Sequence, residues 1–343
     1  MRILIIGGTG LISNSITRQL LESGHDVTHY NRGKTAGLGE PTPTIEGDRR
    51  DRERFAEQMR AEGEWDAVID MICYLPEDAQ QDLAAFAGRA GQLIVCSTID
   101  VYAKPAARYP ITEAEPHAPL NDYARNKSLC EGILLGASSS AMPVTIIRAG
   151  HTYGPGSVHR GHVVTCFGGR STVADRIRKG KPIIVHGDGN SFWTSCHADD
   201  VARGFGGALG NSECHGKAYH VPGEEWLSWN RYFAIVAEAM GAPAPDLIHI
   251  PTDTLSRALP KRTRSLQDNF QFNNIFDNSA ARRDLGFRYT IPFLAGMQKT
   301  LEWVISGPGF EDCALEPWYD EVIAAWKRGS ESFELEGGRL DRV

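Results

Sequence analysis

Two side chains with complementary acid–base chemistry lie four positions apart in a predicted helix. Tyr123 and Lys127 fall within the segment 122–136, whose pattern is helical, and this spacing places them on one face of the helix. A phenol with a pKa of about 10 is a poor base at neutral pH. A neighbouring ammonium favours the phenolate and lowers that pKa. Because such pairs are common on protein surfaces, the residues around this one decide whether it performs chemistry.

Two hydroxyl side chains end a buried strand upstream of this pair. The segment 92–97 is mostly apolar up to Ser97, and Thr98 follows directly. Ligands bind at the carboxyl ends of the strands in open parallel sheets, so Thr98 is placed to hydrogen-bond a substrate oxygen beside Tyr123. A strand-end turn without any ligand is the alternative interpretation of Ser97 and Thr98.

A glycine-rich turn near the amino terminus has the position of a dinucleotide-binding fingerprint. The residues Gly7, Gly8, Thr9 and Gly10 separate an apolar run at 2–6 from a helical pattern at 11–22. Glycines let the backbone approach a pyrophosphate closely, and the helix N-terminus offers free N–H groups to it. The third glycine of the usual spacing is replaced by Ser13, from which we expect altered helix packing and no loss of binding.

The end of the second predicted strand bears on the choice of cofactor. The acid that usually binds the adenosine ribose is replaced by Asn31, with Arg32 and Lys34 following. Neutral Asn31 does not repel a 2′-phosphate, and Arg32 can pair with one. NADP is therefore favoured over NAD, unless Arg32 and Lys34 are simply solvated loop charges. Asp48 is expected either to touch the adenine or to cap the next helix.

Alternating strands and helices position these residues. We predict strands at 2–6, 25–30, 42–46, 67–72, 92–97 and 144–148, and helices at 11–22, 51–61, 77–88 and 122–136. This alternation predicts an α/β fold with a Rossmann-type doubly wound parallel sheet and right-handed crossovers.

The second half of the chain has a looser pattern. We predict helices at 170–179, 199–209, 228–240, 278–284 and 293–305, and an apolar run at 182–185. We assign 1–155 to a dinucleotide-binding domain. The segment 156–330 is assigned mainly to a smaller C-terminal α/β substrate lobe, with some parts returning to the main sheet. The segment 331–343 is a polar tail, expected to be poorly ordered or peripheral.

Composition narrows the class of protein. The 343 residues carry a net charge of −7, which argues against nucleic acid or an anionic membrane as a partner. No apolar stretch approaches the roughly 20 residues of a membrane helix, and the apolar run after Arg2 is too short for a signal-peptide core. A cytoplasmic protein is expected.

Cysteine and histidine usage gives no sign of a metal site. The seven cysteines are odd in number and scattered, which argues against a disulfide framework and a zinc site. His159 and His162 lie in a predicted loop with no nearby carboxylate and are interpreted as ordinary polar surface. We therefore expect no bound metal.

Eight short motifs, in order over about residues 1–305, resemble those of the extended short-chain dehydrogenases/reductases, the NAD-dependent epimerase/dehydratase family. They are Gly-Gly-Thr-Gly (7–10), Gly-Asp-Arg-Arg-Asp (47–51), Ser-Thr-x-x-Val-Tyr (97–102), Tyr-x-x-x-Lys (123–127), Arg-x-x-x-x-Tyr-Gly-Pro-Gly (148–156), Gly-Asp-Gly-Asn (187–190), His-x-Asp-Asp-Val-Ala (197–202) and Asp-Leu-Gly-Phe (284–287). The glycine motif and the run 30–33 also resemble an atypical subgroup that includes sugar epimerases or dehydratases and chloroplast RNA-binding relatives.

The resemblance implies a role for each residue of the predicted catalytic group. Tyr123 would exchange a proton with a substrate hydroxyl while hydride moves to or from the nicotinamide. Lys127 would lower the pKa of Tyr123 and hold the nicotinamide ribose, and Thr98 would orient the reacting oxygen. The implied cofactor contacts are Gly7, Gly8, Thr9, Gly10, Leu11, Ile12, Asn31, Arg32, Asp48, Ser97, Tyr123, Lys127 and His151, with Pro155 and Gly156 bordering the nicotinamide.

Several positions depart from relatives that act on nucleotide sugars. His151 replaces the usual Asn, and Trp193 replaces an Arg that pairs with the nucleotide diphosphate. Trp193 would stack on a sugar or pack in the core; with Thr98 and Tyr153 it is a substrate-contact candidate. Asp100 stands where sugar dehydratases have a catalytic Glu and is a further catalytic candidate, although Ile99 replaces the acid beside it.

These observations predict an NAD(P)-dependent enzyme of the epimerase/dehydratase type acting on a hydroxyl of a sugar or sugar derivative. The alternatives are an NADP-dependent dehydrogenase or reductase of a small carbonyl or polyol, and a non-catalytic RNA-associated protein on the same scaffold. The resemblance also implies a homodimer.

Overall fold

The computed structural model describes residues 1–35, 37, 39, 41–156 and 171–340, with the backbone alone described for 331–340. His159 and His162 lie outside the described residues. The strands are β1 (Arg2–Ile6), β2 (Asp26–Asn31), β3 (Thr44–Glu46), β4 (Ala67–Asp70), β5 (Leu93–Thr98), β6 (Val144–Ala149), β7 (His151–Tyr153), β8 (Ile183–His186), β9 (Phe192–His197), β10 (Lys217–His220), β11 (Trp226–Ser228) and β12 (Leu247–Ile250). The helices are α1 (Leu11–Glu22), α2 (Arg52–Glu62), α3 (Pro76–Phe86), α4 (Asp122–Ala137), α5 (Thr172–Arg178), α6 (Ala198–Ala208), α7 (Trp229–Ala239), α8 (Thr252–Ala258), α9 (Ser279–Asp284), α10 (Phe293–Ser306) and α11 (Pro317–Leu340).

A seven-stranded parallel sheet forms the centre of the fold. Its order is β10-β6-β5-β4-β1-β2-β3, and each neighbouring pair runs parallel. The reversal of strand order beside β1 is that of a Rossmann fold, in which ligands bind at such a switch point. The predicted doubly wound α/β fold is confirmed.

The sheet is buried on both faces, as a parallel sheet requires. One apolar cluster joins the strands to α1 and α6, and its members include Ile16, Leu20, Val201 and Phe205. The other joins them to α2, α3 and α4. Because both faces of the sheet are buried, the sequences of β1 and β4 to β6 are largely apolar.

The chain divides into two compact units. Unit 1 is formed by Met1–Gly154, Thr194–Trp226 and Asn273–Gly296. Its sheet therefore includes β10, which comes from the second half of the chain. In the same unit, β7 pairs in parallel with β9, with His151 opposite Ser195.

Unit 2 comprises the described residues of Pro155–Trp193, Leu227–Phe272 and Met297–Val343. In it β8 and β12 pair in parallel, with Ile183 opposite Leu247. On α5, Arg176 pairs with Asp320 of α11 at 2.5 Å. In the polar segment after Ser330, which was expected to be poorly ordered or peripheral, α11 continues to Leu340.

Among the described residues, no helix is both long enough and apolar enough to cross a membrane.

Candidate active site

The glycine turn has no room for side chains. Gly7 has a φ of +86°, and a Cβ at this position would lie 2.7 Å from Cγ2 of Ile72. A Cβ on Gly8 would collide with the ring of His29. Both positions therefore require glycine, because the turn packs directly against Ile72 and His29.

The N-terminus of α1 is open to an anion. Its N-cap is Gly10, which makes no side-chain cap, and its first turn carries no acid. Ser13 stands in place of the third glycine, is buried, and donates from Oγ to the Gly7 carbonyl at 2.7 Å. The substitution thus ties the helix to the turn and leaves the free N–H groups of the helix end in place.

An acid that the sequence analysis overlooked lies beside the predicted ribose site. Asn31 ends β2 and is paired with Glu46 of β3. The chain then turns at Gly33, whose Cβ would lie 2.9 Å from the Glu46 carboxylate. Arg32 is exposed at this turn, so the positive charge proposed for phosphate binding has a negative neighbour.

Asp48 does not cap the next helix. Its Oδ1 accepts from the backbone N–H of Arg50 at 3.0 Å, in a local turn. The N-cap of α2 is Asp51, which accepts from the N–H of Arg54. Of the two interpretations of Asp48, helix capping is wrong, and adenine contact stays a prediction.

Thr98 ends β5 at the point where the predicted reaction would occur. Its Oγ1 accepts from the N–H of Asp100 at 3.2 Å and caps a short 3₁₀ turn, Ile99–Val101. Ser97 donates instead to Glu131 in the protein interior. Tyr123 lies in the first turn of α4, which starts at the Asn121 cap, and its hydroxyl is near enough to the Thr98 side chain for Thr98 to lower its pKa. The structure thus brings Thr98 and Tyr123 together, as predicted.

The electrostatics of Tyr123 differ from the expectation. Desolvation around the hydroxyl raises the pKa of Tyr123, as do nearby Cys96, Tyr74 and Asp100, while the neighbouring Thr98 side chain lowers it. The pKa of Tyr123 is therefore raised overall and not lowered as expected, even though 47% of the Tyr123 surface is exposed. The phenol is therefore neutral at pH 7 in this structure.

Lys127 is committed to other partners. The residue is 2% exposed, and its Nζ donates to the Cys96 carbonyl at 2.6 Å. The same Nζ lies 4.8 Å from the centre of the Tyr74 ring. Tyr74 in turn lies beside Tyr123, with 6.3 Å between ring centres. No motif or periodicity singled out Tyr74, since it lies in the loop between β4 and α3.

Asp100 is held by a buried lysine. Its Oδ1 pairs with Nζ of Lys104 at 2.8 Å, and the Lys104 side chain is almost fully buried. That Nζ also donates to Oδ1 of Asn274 at 3.0 Å. The i, i+4 spacing of Asp100 and Lys104 was visible in the sequence, whereas Asn274 was not foreseeable.

A buried network fixes the end of β5 against β6 and α4. Arg148 of β6 donates from Nη2 to Glu131 Oε2 of α4 at 2.7 Å and from Nη1 to the Tyr102 hydroxyl. The Tyr102 hydroxyl lies 2.6 Å from Nε2 of His220, whose pKa is lowered to about 3, first by burial and then by Arg148. Glu131, which also accepts from Ser97, was missed by the sequence analysis.

Two of the substrate-contact candidates lie in the interior. Tyr153 is fully buried, and its ring packs edge-on against Phe293 and His197. In unit 2, Trp193 is 3% exposed and stacks on Trp229, with 5.1 Å between ring centres. For Trp193 this is the core-packing alternative, and neither ring presents an open surface to a sugar. His151, a cofactor candidate, lies on β7 with its Nδ1 2.9 Å from Ser195 Oγ.

The described residues hold two groups with metal-ligating atoms, and cationic side chains pair with both. Asp70, Cys73 and Asp82 are buried close together, but Arg49 pairs with both of these aspartates. In the group formed by Asp175, Asp312 and Cys313, Lys179 pairs with both carboxylates.

Comparisons with known proteins agree with this arrangement. A model of the NAD dependent epimerase/dehydratase family matches residues 3–221. The chain is 26% identical over 281 residues to a 2′-dehydrokanamycin reductase of Streptomyces kanamyceticus, covering 81% of this chain and 77% of the relative. It is 28% identical over 265 residues to the chloroplast stem-loop binding protein of 41 kDa b of Arabidopsis thaliana, covering 72% of this chain and 65% of the relative.

Solved structures share the fold. A UDP-glucose 4-epimerase of Thermotoga maritima with UDP-glucose superposes with a TM-score of 0.70 at 19% identity, covering 89% of this chain and 99% of the epimerase. A dTDP-glucose 4,6-dehydratase of Streptomyces venezuelae with bound NAD gives 0.71 at 22% identity, covering 90% and 98%. With the family match spanning the glycine turn, the Tyr123–Lys127 pair and six of the seven sheet strands in full, the chain belongs to the NAD dependent epimerase/dehydratase family.

Proposed function

We propose that the protein is an NAD(P)-dependent enzyme of the epimerase/dehydratase type, acting on a hydroxyl of a sugar or sugar derivative with Tyr123 as the acid/base. The observation that carries this proposal is the proximity of the Thr98 side chain to the Tyr123 hydroxyl at the carboxyl end of β5. Such a pair can hold one substrate oxygen from two sides while a proton moves to or from it. Family membership alone would not assign a substrate.

The amino-terminal turn fits a dinucleotide. Side chains at Gly7 and Gly8 would collide with Ile72 and His29, and the uncapped end of α1 offers N–H groups to a pyrophosphate. When bound, the nicotinamide accepts or supplies the hydride. The residues Gly7–Gly10 would hold the phosphates, and Asn31 with Arg32 would contact the adenosine ribose. We propose a preference for NADP. The carboxylate of Glu46 beside the Gly33 turn would weaken this preference by repelling a 2′-phosphate.

The protonation state of Tyr123 favours the reductive direction of the reaction. The raised pKa of Tyr123 keeps the phenol protonated, so it can donate a proton to an oxygen whose carbon is being reduced. The reverse step needs the phenolate, which the Lys127 ammonium on the same helix would stabilise. Asp100, which pairs with Lys104, would supply a carboxyl group near the same hydroxyl for a second proton transfer.

A dehydrogenase or reductase with an exchangeable cofactor is the second candidate. The neutral Tyr123 phenol and the similarity to a 2′-dehydrokanamycin reductase support it. Trp193, which stands where nucleotide-sugar relatives have a diphosphate-binding Arg, is buried. This argues against a nucleotide-linked sugar as the substrate. A non-catalytic RNA-associated protein is a third candidate, supported by the similarity to the stem-loop binding protein and opposed by the net charge of −7.

One measurement separates these candidates. Freshly purified protein is denatured, and any released dinucleotide is identified by chromatography and mass. A stoichiometric dinucleotide indicates internal redox recycling, as in an epimerase or dehydratase, and its mass shows whether the 2′-phosphate is present. Empty protein that binds NADPH or NADH reversibly indicates a reductase or dehydrogenase. Protein that binds neither overturns the enzymatic proposal, and RNA titration at low salt then tests the third candidate.

We further propose a homodimer, as the family resemblance implies, and a cytoplasmic location, as the sequence composition led us to expect. Sedimentation equilibrium of the purified protein tests the oligomeric state, and a monomer at micromolar concentration would contradict it.

A further inference from the structure

Tyr74 contacts both members of the predicted Tyr123–Lys127 pair. The centre of its ring lies 6.3 Å from that of Tyr123 and 4.8 Å from Nζ of Lys127. Its own residue surface is 45% exposed. A residue in this position can influence the acid/base group without being part of the recognised motifs.

The Lys127 ammonium is buried without a carboxylate partner. Its Nζ donates to the Cys96 carbonyl and lies over the Tyr74 ring. Among the residues that the structure describes, it forms no ion pair with Asp or Glu. A buried charge is costly unless other groups compensate it, so the carbonyl and the aromatic face are its principal stabilising partners.

As a partner of Lys127, an aromatic ring and a carboxylate would have different effects on the electrostatic potential at the Tyr123 phenol. The ring quadrupole attracts a cation at short range, but it carries no net charge. The positive potential of Lys127 at Tyr123 therefore survives, whereas a carboxylate at the same place would cancel much of it. Such a partner suits a lysine whose charge must act on another residue.

The backbone of Tyr74 is fixed by a charged cluster. The N–H groups of Tyr74 and Leu75 both donate to Oδ2 of Asp78 at 3.0 Å. Oδ1 of Asp78 is paired with Arg52 at 2.8 Å and lies 3.5 Å from Nε of Arg49. The position of the ring is thus set by a network extending from α2 to α3, which gives this buried cluster a role at the site.

We propose that Tyr74 is a positioning residue, whose aromatic face holds the Lys127 ammonium so that its charge acts on Tyr123. This inference rests on the proposed role of Tyr123 as the acid/base. It names a residue for the reaction that neither the family motifs nor the sequence pattern indicated.

A pair of variants isolates the aromatic face. Tyr74→Phe keeps the aromatic ring, and Tyr74→Leu removes it. Both variants lack the Tyr74 hydroxyl, so its loss does not contribute to the difference between them. The pKa of Lys127 is measured by NMR titration of protein containing ¹³C-labelled lysine, with its resonance assigned by Lys127→Met. The acid dissociation constant of Lys127 should be about tenfold larger in Tyr74→Leu than in Tyr74→Phe, because the ammonium loses its attraction to the ring. The other titratable neighbours of Lys127, namely Tyr123 and the thiols of Cys96 and Cys130, are the same in both variants.

Activity with saturating cofactor gives the second readout. We expect kcat at pH 7 to fall about tenfold in Tyr74→Leu with little change in KM, and Tyr74→Phe to restore it. Equal Lys127 titration and equal pH–rate profiles in the two variants would overturn the inference. If Tyr74→Leu fails to fold, Tyr74→Met, which fills the space with an unbranched side chain, takes its place in the same comparison.

The two proposals fail in different ways. Full activity in Tyr123→Phe removes the proposed acid/base role, while the Lys127 titration still reports on Tyr74. An inactive Tyr123→Phe together with identical Tyr74→Leu and Tyr74→Phe enzymes removes the role of Tyr74 alone.

Discussion

At the scale of single residues, the hydroxyl of Tyr123 is the atom on which the proposed chemistry depends. Tyr123→Phe removes one oxygen and keeps the ring next to Tyr74. We predict a fall in kcat of about 10²–10⁴-fold, the usual contribution of a general acid or base, with the dissociation constant of the cofactor unchanged. Steady-state kinetics and a fluorescence titration of the cofactor check this.

Thr98→Val, which keeps the size of Thr98 and removes its hydroxyl, should lower kcat in the same way.

The choice between NADP and NAD depends on two opposite charges beside Asn31. Arg32→Ala should weaken NADPH binding about tenfold or more, since a charge-assisted bond to a phosphate is lost, and NADH binding to the same variant is the control. Glu46→Gln should strengthen NADPH binding, because the carboxylate lies next to the Gly33 turn. If both variants bind NADPH like the wild type, Arg32 is a solvated loop charge.

At the scale of secondary-structure elements, the turn between β1 and α1 offers a matched pair of glycines. Gly7 and Gly24 flank α1 with similar φ values of +86° and +78°, but only Gly7 has a neighbour where a Cβ would stand. Gly7→Ala should therefore destabilise the fold and abolish tight cofactor binding. Gly24→Ala should show only the cost of the strained backbone, about 1–2 kcal/mol, with cofactor affinity retained. Urea denaturation and cofactor titration of both variants measure the two effects. Wild-type cofactor affinity in Gly7→Ala would contradict the fit of the turn to a pyrophosphate.

Local pattern predicted the elements that are long and regular. The strands β1, β2 and β4 to β6 and the helices α1 to α4 follow from apolar runs and helical spacing, which need only neighbouring residues. The strands β7 and β9 to β12 were not predicted, and two of them, β7 and β11, have only three residues, which carry too little periodicity. The helix α11 (Pro317–Leu340) was not predicted, since no helix was assigned after residue 305.

The contacts of the site were less predictable for a physical reason. The Thr98–Tyr123 proximity followed from sheet topology and a known motif. The bond between Lys104 and Asn274 joins residues 170 positions apart, and Tyr74 approaches Lys127 only because α3 packs on α4. The burial of Trp193 and the raised pKa of Tyr123 likewise depend on packing that no local pattern encodes.

At the scale of the whole molecule, buried neutral histidines couple stability to pH. The pKa of His29 is lowered to about 4 by burial, and that of His220 to about 3. The unfolded chain binds these protons near the ordinary value of about 6.5, so the unfolded state holds more protons between pH 6.5 and 4. The free energy of unfolding should therefore fall as the pH drops through this window.

A histidine substitution tests this coupling. In His29→Gln, the urea midpoint should depend less steeply on pH between 6.5 and 4 than in the wild type, whatever its absolute stability. Gln retains a polar group to bond with Thr17, whose Oγ1 lies 2.8 Å from Nε2 of His29. An unchanged slope would show that His29 takes no part in the acid sensitivity.

Unit 1 is formed by three separated stretches of the chain, and this affects how it folds during synthesis. The ribosome completes the first 154 residues long before β10, and the last stretch ends only at Gly296. At a translation rate of about 5–20 residues per second, the nascent sheet waits on the order of ten seconds for its final parts. During that time the β6 edge, which β10 later covers, exposes unpaired N–H and C=O groups to other chains. Newly made chains are thus most exposed to aggregation before the β10 segment emerges, and chaperone binding to stalled nascent chains of about 200 residues should exceed binding to chains of about 320.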